Sequence, residues 1–180
     1  MKKIILTVAA LFAIGFANAQ NMKNSSGGGQ TSEGKWLIEA NTGFGGGTLA
    51  HSANTSFGLV SIDGDTSWSI GAEAGYFIMN DLALKGGLGY SDNDGFSAFT
   101  YKVGAKYYIQ HMIPVQLDFT GASLEDFDEN PLWMGIQGGY AIFLGENVSI
   151  EPGLRYNVSL NDDFYDGGIF EVRVGFALHF

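Results

Sequence analysis

Ser67-Trp68-Ser69-Ile70-Gly71-Ala72-Glu73-Ala74-Gly75-Tyr76-Phe77-Ile78 is the stretch whose reading decides the fold. Trp68, Ile70, Ala72, Ala74, Tyr76 and Ile78 share one parity, and Ser67, Ser69, Gly71, Glu73, Gly75 and Phe77 share the other. A period of two places alternate side chains on opposite faces of a strand. No stripe of 3.6-residue period runs through the same window. Outward from it the pattern repeats. The turn Met79-Asn80-Asp81 leads to Leu82, Leu84, Gly86, Leu88 and Tyr90 on one face, with Lys85 opposite. From Ser97 to Ile109, Phe99, Tyr101, Val103, Ala105, Tyr107 and Ile109 oppose Thr100, Lys102, Gly104, Lys106 and Tyr108.

The remaining segments read alike. Lys35 to Phe44 sets Trp36, Ile38, Ala40, Thr42 and Phe44 against Leu37, Glu39, Asn41 and Gly43. Pro114 to Thr120 is short, with Val115, Leu117 and Phe119 against Gln116 and Asp118. Leu132 to Phe143 groups Leu132, Met134, Ile136, Tyr140 and Ile142. Val148 to Leu160 sets Leu154, Tyr156 and Val158 against Glu151, Arg155 and Asn157. Ile169 to Phe180 sets Phe170, Val172, Val174, Phe176, Leu178 and Phe180 against Glu171, Arg173 and Gly175. The strands number eight, each at or near the roughly 9–11 residues of a tilted membrane crossing.

Alternation alone also fits a soluble sandwich or a ligand-binding barrel with its apolar face inward. The charges separate the cases. The polar faces carry the acids Glu39, Glu73, Asp118, Glu151 and Glu171 and the bases Lys85, Lys102, Lys106, Arg155 and Arg173, five against five. A solvated face has no need of balance, and the chain as a whole has net charge −10. A narrow closed lumen does need it, because each unpaired ion there costs several kcal/mol. The same faces carry Gly71, Gly75, Gly87, Gly104, Gly135, Gly153 and Gly175, which strands in water normally avoid.

Aromatic residues give a second test. Threaded up and down, Trp36, Tyr76, Tyr107, Tyr140 and Phe180 fall near one rim. Phe44, Trp68, Tyr90, Phe99, Tyr101, Phe119, Tyr156 and Phe170 fall near the other. Two girdles about an aliphatic band are what bilayer interfaces select. The expected fold is all-β, an eight-stranded antiparallel transmembrane β-barrel of up-and-down topology.

The N-terminus reads as an address. Lys2 and Lys3 precede an apolar run of 14 residues, Ile4 to Ala17, and Ala17-Asn18-Ala19 is a cleavage signature. The run is shorter than the roughly 20 residues of a spanning helix. The expected organisation is a signal peptide at 1–19, a flexible Gly/Ser-rich leader at 20–34 and the barrel at 35–180. Short connections (79–81, 110–113, 144–147) alternate with mostly longer ones (45–66, 92–96, 121–131, 161–168), as between periplasmic turns and outer loops. Ser56 to Ile62 has the pattern of a hairpin extension above the membrane but no assigned place. Pro152 cannot donate to a ladder, so a bulge or missing bond is expected there.

The C-terminal Glu171-Val-Arg-Val-Gly-Phe-Ala-Leu-His-Phe180 resembles the terminal strand read by the barrel-assembly machinery. Gly75 to Leu84 and Tyr140 to Val148 resemble the recurrent hairpin of small bacterial outer-membrane barrels of the OmpA/OmpX-like type. The resemblance covers roughly 35–180. It implies the outer membrane of a Gram-negative bacterium, contact with outer-membrane lipid and lipopolysaccharide, and a structural or adhesive role. A few small barrels of this kind are lipid-modifying enzymes.

Signatures of chemistry are few. With zero Cys, disulfides and thiolate sites are excluded. The acidic balance argues against nucleic acid as a partner. His51, His111 and His179 fall at the two mouths and read as solvated. Glu73, Glu151 and Glu171 read as acceptors for Lys102, Lys106, Arg155 and Arg173 rather than as catalytic carboxylates. No catalytic, cofactor-binding or metal residues are assigned, and no cofactor is expected. The outer connections hold Asp63, Asp65, Asp92, Asp94, Glu125, Asp126, Asp128, Glu129, Asp162, Asp163 and Asp166 with no Lys or Arg. Divalent cations could bridge them to lipopolysaccharide or to an unidentified extracellular partner, although no complete calcium loop is present. The expectation is a surface-interaction barrel closed by ion pairs. A narrow porin-like channel and a lipid-A-modifying enzyme are the alternatives.

Overall fold

A computed structural model describes residues 29–44, 53–62, 65–93, 96–125, 129–164 and 166–180. Its strands are β1 (Trp36–Phe44), β2 (Ser56–Ile62), β3 (Asp65–Met79), β4 (Leu82–Asn93), β5 (Phe96–Ile109), β6 (Ile113–Leu124), β7 (Leu132–Gly139), β8 (Ile142–Phe143), β9 (Val148–Ser159) and β10 (Gly168–His179). All pairings are antiparallel, successive from β2 to β7 and from β8 to β10 with β7 also beside β9, and β1 closes the sheet by pairing with both β10 and β3. Since β8 prolongs β7 and β2 shares the place beside β3 with β1, the ten strands make eight staves of a transmembrane barrel.

The facing agrees with the charge argument. None of the ten luminal charges is more than 4% exposed, whereas Leu84, Leu88, Val103, Ile136 and Leu154 are each at least half exposed. A continuous apolar belt of this kind far exceeds the patches that monomers tolerate in water. Hydrocarbon is the solvent that accepts it, and closure removes the strand edges that hydrocarbon would not. Trp36 and Tyr76 lie together at the end bearing the short turns, with ring centroids 5.1 Å apart. Trp68 and Tyr90 lie together toward the end bearing the loops, at 5.4 Å.

Several elements differ from the sequence reading. Residues β6 spans reach Leu124, so Phe119, paired with Val103, sits in the middle of the belt rather than at its rim. Phe176, opposite Ala40, is a second mid-belt aromatic. The side chain of Phe44 lies outside the described residues. β4 and β5 leave only residues 94–95 between them, so that connection is no longer in sequence than the turns. Opposite Pro152 the ladder skips Tyr140 and Ala141, yet the register is the same before and after: Gly139 pairs with Gly153 and Ile142 with Ile150. The proline costs a ladder bond and makes no bulge.

Two segments read as loop or leader are built into the barrel. Ser56–Ile62 is a strand on the β3 edge, from Ser56↔Gly71 to Ile62↔Asp65. β1 holds that same edge only at Trp36–Ile38. Between the two, the Thr55 hydroxyl accepts from the Glu73 backbone N–H (2.8 Å) and donates to its carbonyl (3.2 Å). At the turn end, residues 29–34, read as the last part of a flexible leader, are bonded to the barrel. Asp81 N donates to Thr31 O (2.7 Å) and Gly34 N to Phe77 O (2.9 Å).

The interior is layered. Leu37, Phe77, Ala83, Tyr108, Ala141 and Ala177, with Phe143 against them, fill the turn end. Ala98, Ala122 and Leu124, with Phe164 folded in from the last loop, fill the loop end. The charges lie between. Val103, 61% exposed on the belt, tests the facing. Val103→Arg should lower unfolding stability in vesicles by about 2–4 kcal/mol, read from urea titration. A neutral result would mean that Val103 does not face hydrocarbon.

Candidate functional site

The luminal charges come from seven strands, and the pleat aims all of them at one axis. The first group is a zigzag of alternating sign. Lys102 bonds Glu73 (3.3 Å), Glu73 bonds Lys85 (2.7 Å), and Lys85 pairs with Glu39. Glu39 bonds Lys106 (2.7 Å), which pairs with Glu151. The second group joins β6, β9 and β10. Arg155 holds Asp118 through both terminal guanidinium nitrogens at 2.6 Å, and Arg173 holds Glu171 at 2.7 Å. Gln116 connects the groups by accepting from Lys85 (2.7 Å) and donating to Asp118 (2.6 Å). All five acids and all five bases therefore have an oppositely charged partner, as the sequence balance required. The pairing of Glu73 with Lys102 and of Glu171 with Arg173 matches the acceptor roles read from the sequence.

Two glycines make the packing possible. Asp118, Gly135 and Asn157 lie in one row across β6, β7 and β9. A Cβ on Gly135 would collide with the Arg155 guanidinium, so the missing side chain is the gap through which Arg155 crosses β7 to reach Asp118. A Cβ on Gly87 would collide with the Ala53 carbonyl. That gap admits Ala53 and Asn54, both at most 1% exposed, to the lumen, where Asn54 Oδ1 accepts from Lys102. Sequence reasoning missed Asn54 and Thr55. The available signal was the run of luminal glycines at 71, 87 and 89, which leaves volume that side chains of β3 and β4 do not fill.

The histidines separate. His111 is exposed and bonds Asp81 at 2.6 Å, and His51 lies outside the described residues. His179 is not solvated: it is 0% exposed, stacked on Phe77 and near Tyr108 and Phe143. Its Nε2 lies 2.9 Å from Ser149 Oγ, and Ser149 donates to Glu151 Oε1 at 2.9 Å. A serine nucleophile needs its base oriented by an acid on the far imidazole nitrogen and a path for substrate. Here the acid holds the serine, and Tyr108 donates to the same carboxylate at 2.8 Å. The arrangement is a packed polar junction beneath the charges.

At the loop end Glu125, Glu129, Asp162, Asp163 and Asp166 are exposed. Asn161 ties two loops by donating to Glu129 (3.2 Å) and to the Asn130 carbonyl (2.9 Å). Among the described residues no three His, Asp or Glu converge to hold a metal ion. Asp63, Asp94, Asp126 and Asp128 lie outside them.

The bidentate pair gives a sharp test. Arg155→Ala leaves Asp118 buried without its cation, and breaking such a pair costs about 3–5 kcal/mol. Asp118→Asn added to Arg155→Ala should restore much of the loss, because no bare carboxylate is then buried. Denaturant titration of the two variants in detergent or vesicles measures both. Equal stability of single and double variants would show that Arg155 does not neutralise Asp118.

No family model and no curated protein sequence matches the chain. Among solved structures, it is similar to Neisserial surface protein A, with 17% identity and a TM-score of 0.46, covering 82% of this chain and 98% of that one. It is likewise similar to the N-terminal β-barrel domain of Pseudomonas aeruginosa OprF, with 16% identity and a TM-score of 0.48 over 82% and 98% of the two chains. For the Yersinia pestis outer membrane protein Ail the values are 13% and 0.44, over 82% and 100%. Likenesses this distant say nothing about activity, and the resemblance to small OmpA/OmpX-like barrels stands on architecture, eight antiparallel staves closed on themselves with the apolar face outward.

Proposed function

We propose that this protein is a closed outer-membrane barrel of a Gram-negative bacterium, exported by a cleaved signal peptide. Its role is structural and surface-interactive: a rigid wall presents acidic loops to the outside. The observation that supports this most is the lumen. Ten mutually paired charges occupy it, and apolar layers cover them at both ends. An eight-stranded barrel is just wide enough for side chains, so this filling leaves no continuous polar path. The variable chemistry is then confined to the loop end, which carries acids and neither Lys nor Arg. Divalent cations bridging those acids to lipopolysaccharide phosphates are the partner chemistry that fits. The C-terminal strand ending in Phe180 fits recognition by the barrel-assembly machinery, and Phe180 is laddered to Trp36 through two bonds of 2.6 and 3.0 Å.

Two measurements test the reading. In planar bilayers the protein should give no steps approaching about a nanosiemens, the scale of an open aqueous barrel. Such steps would replace the closed scaffold with a channel. On intact cells, added protease should cut within 125–131 and 160–167 and leave the staves protected. Cleavage only after the outer membrane is permeabilised would reverse the orientation. An unchanged mass spectrum of lipid A with and without the protein is also expected, and a modified acyl pattern would favour an enzyme.

A further inference from the structure

The turn-end mouth carries a device that the loops and the charges do not explain. Thr31 and Ser32 are 3% and 8% exposed although they precede the first strand. Gln30 donates to the Gly145 carbonyl (2.8 Å), in the turn between β8 and β9. Thr31 bonds Asp81, in the turn between β3 and β4, through its carbonyl and its hydroxyl. The same Asp81 carboxylate oxygen meets His111 Nδ1 at 2.6 Å, in the turn between β5 and β6. Asp81 O accepts from Tyr108 N (2.8 Å), and Asn80 Oδ1 accepts from Glu33 N (3.1 Å). One short segment thus bonds two of the turns directly and reaches the third through Asp81. Asp81 sits at φ 68°, in the left-handed region, which Asp tolerates better than most residues.

We propose that residues 29–34 are a strap that seals the turn-end mouth of the barrel, with Asp81 as its clasp. Beneath the strap lies the apolar layer of Leu37, Phe77 and Tyr108, and within that layer lies the Ser149–His179 junction. A segment bonded at two turns, and to the third through Asp81, keeps water and solutes from this layer, which among the described residues has six buried apolar side chains to do so alone. His179 is the imidazole buried within that layer, and its Nδ1 has no hydrogen-bond partner among the described residues.

Diethyl pyrocarbonate, which acylates accessible imidazole, reads this directly. The full-length mature protein is placed in lipid nanodiscs so that both mouths meet water, and modification of each histidine is followed by peptide mass spectrometry. In the parent protein His179 should react far more slowly than His111, whose side chain is 73% exposed. Asp81→Gly keeps a residue suited to positive φ and removes the carboxylate that bonds both Thr31 and His111; the rate at His179 should rise a few-fold to about tenfold, as expected when the closed strap loses one side-chain bond of its own and its tie to the third turn. Gln30→Ala with Thr31→Val leaves Asp81–His111 intact and should raise it a few-fold. Both variants keep every luminal ion pair, and heat-modifiable migration reports that each is folded. Unchanged His179 rates in the folded variants would overturn the strap and assign the seal to the apolar layer. If Asp81→Gly does not fold, the Gln30/Thr31 variant decides by the same rate. A parent His179 as reactive as His111 would also overturn the proposal.

Discussion

Neutralising ten charges within a space that water does not fill is the constraint on which the rest of this barrel depends. An ion moved from water to a low-dielectric interior loses several kcal/mol of solvation, and only a well-placed opposite charge offsets it. The outward face cannot supply comparable information. Leu, Val and Ile are nearly equivalent against lipid, so sliding one stave past its neighbour by two residues would leave the belt apolar. The same slide would carry Arg155 away from Asp118 and Lys106 away from Glu151. Parity chooses which face is inside, and the ion pairs choose the register within that parity.

The layering reinforces this. Apolar side chains at each end keep water off the ionic middle, which strengthens every pair and raises the cost of losing one. The middle is not uniform in cross-section. Glycines let long side chains and a piece of backbone share it, with Arg155 passing over Gly135 and Ala53 lying against Gly87. Neither contact could form with any other residue at those positions without displacing its neighbour.

The sequence made the parity and the charge balance legible because both are properties of single residues at a fixed period. Glu39, Glu73 and Arg173 could be placed inside from position alone. Depth was less legible. His179 has inward parity, but its burial depends on Phe77, on Phe143 beyond the break opposite Pro152, and on the segment crossing the mouth. Residues 29–34 and 53–55 were hidden for a related reason. They are mostly polar, as solvent loops are, and what holds them in place are partners 18 to 115 residues distant. The reach of β6 to Leu124 was missed because Gly121-Ala122-Ser123 lacks the alternation that marked Val115 to Phe119.

The inward turn at Ala53–Thr55 follows from the exchange of staves beside β3. β1 pairs with that edge up to Ala74, and β2 takes it over from Gly71, so the backbone of Glu73 falls where neither strand reaches. Hydrocarbon outside and ions inside offer that amide and carbonyl no water, and an unsatisfied pair there would cost as much as the ladder bonds lost. Threonine carries a donor and an acceptor on one atom, which is what a neighbouring strand residue would have presented. Residues 53–55 must therefore lie inside the barrel wall at the level of Glu73 for Thr55 to reach it. Lying there, they bring Asn54 to Lys102, the base of the zigzag that has a single carboxylate partner among the described residues.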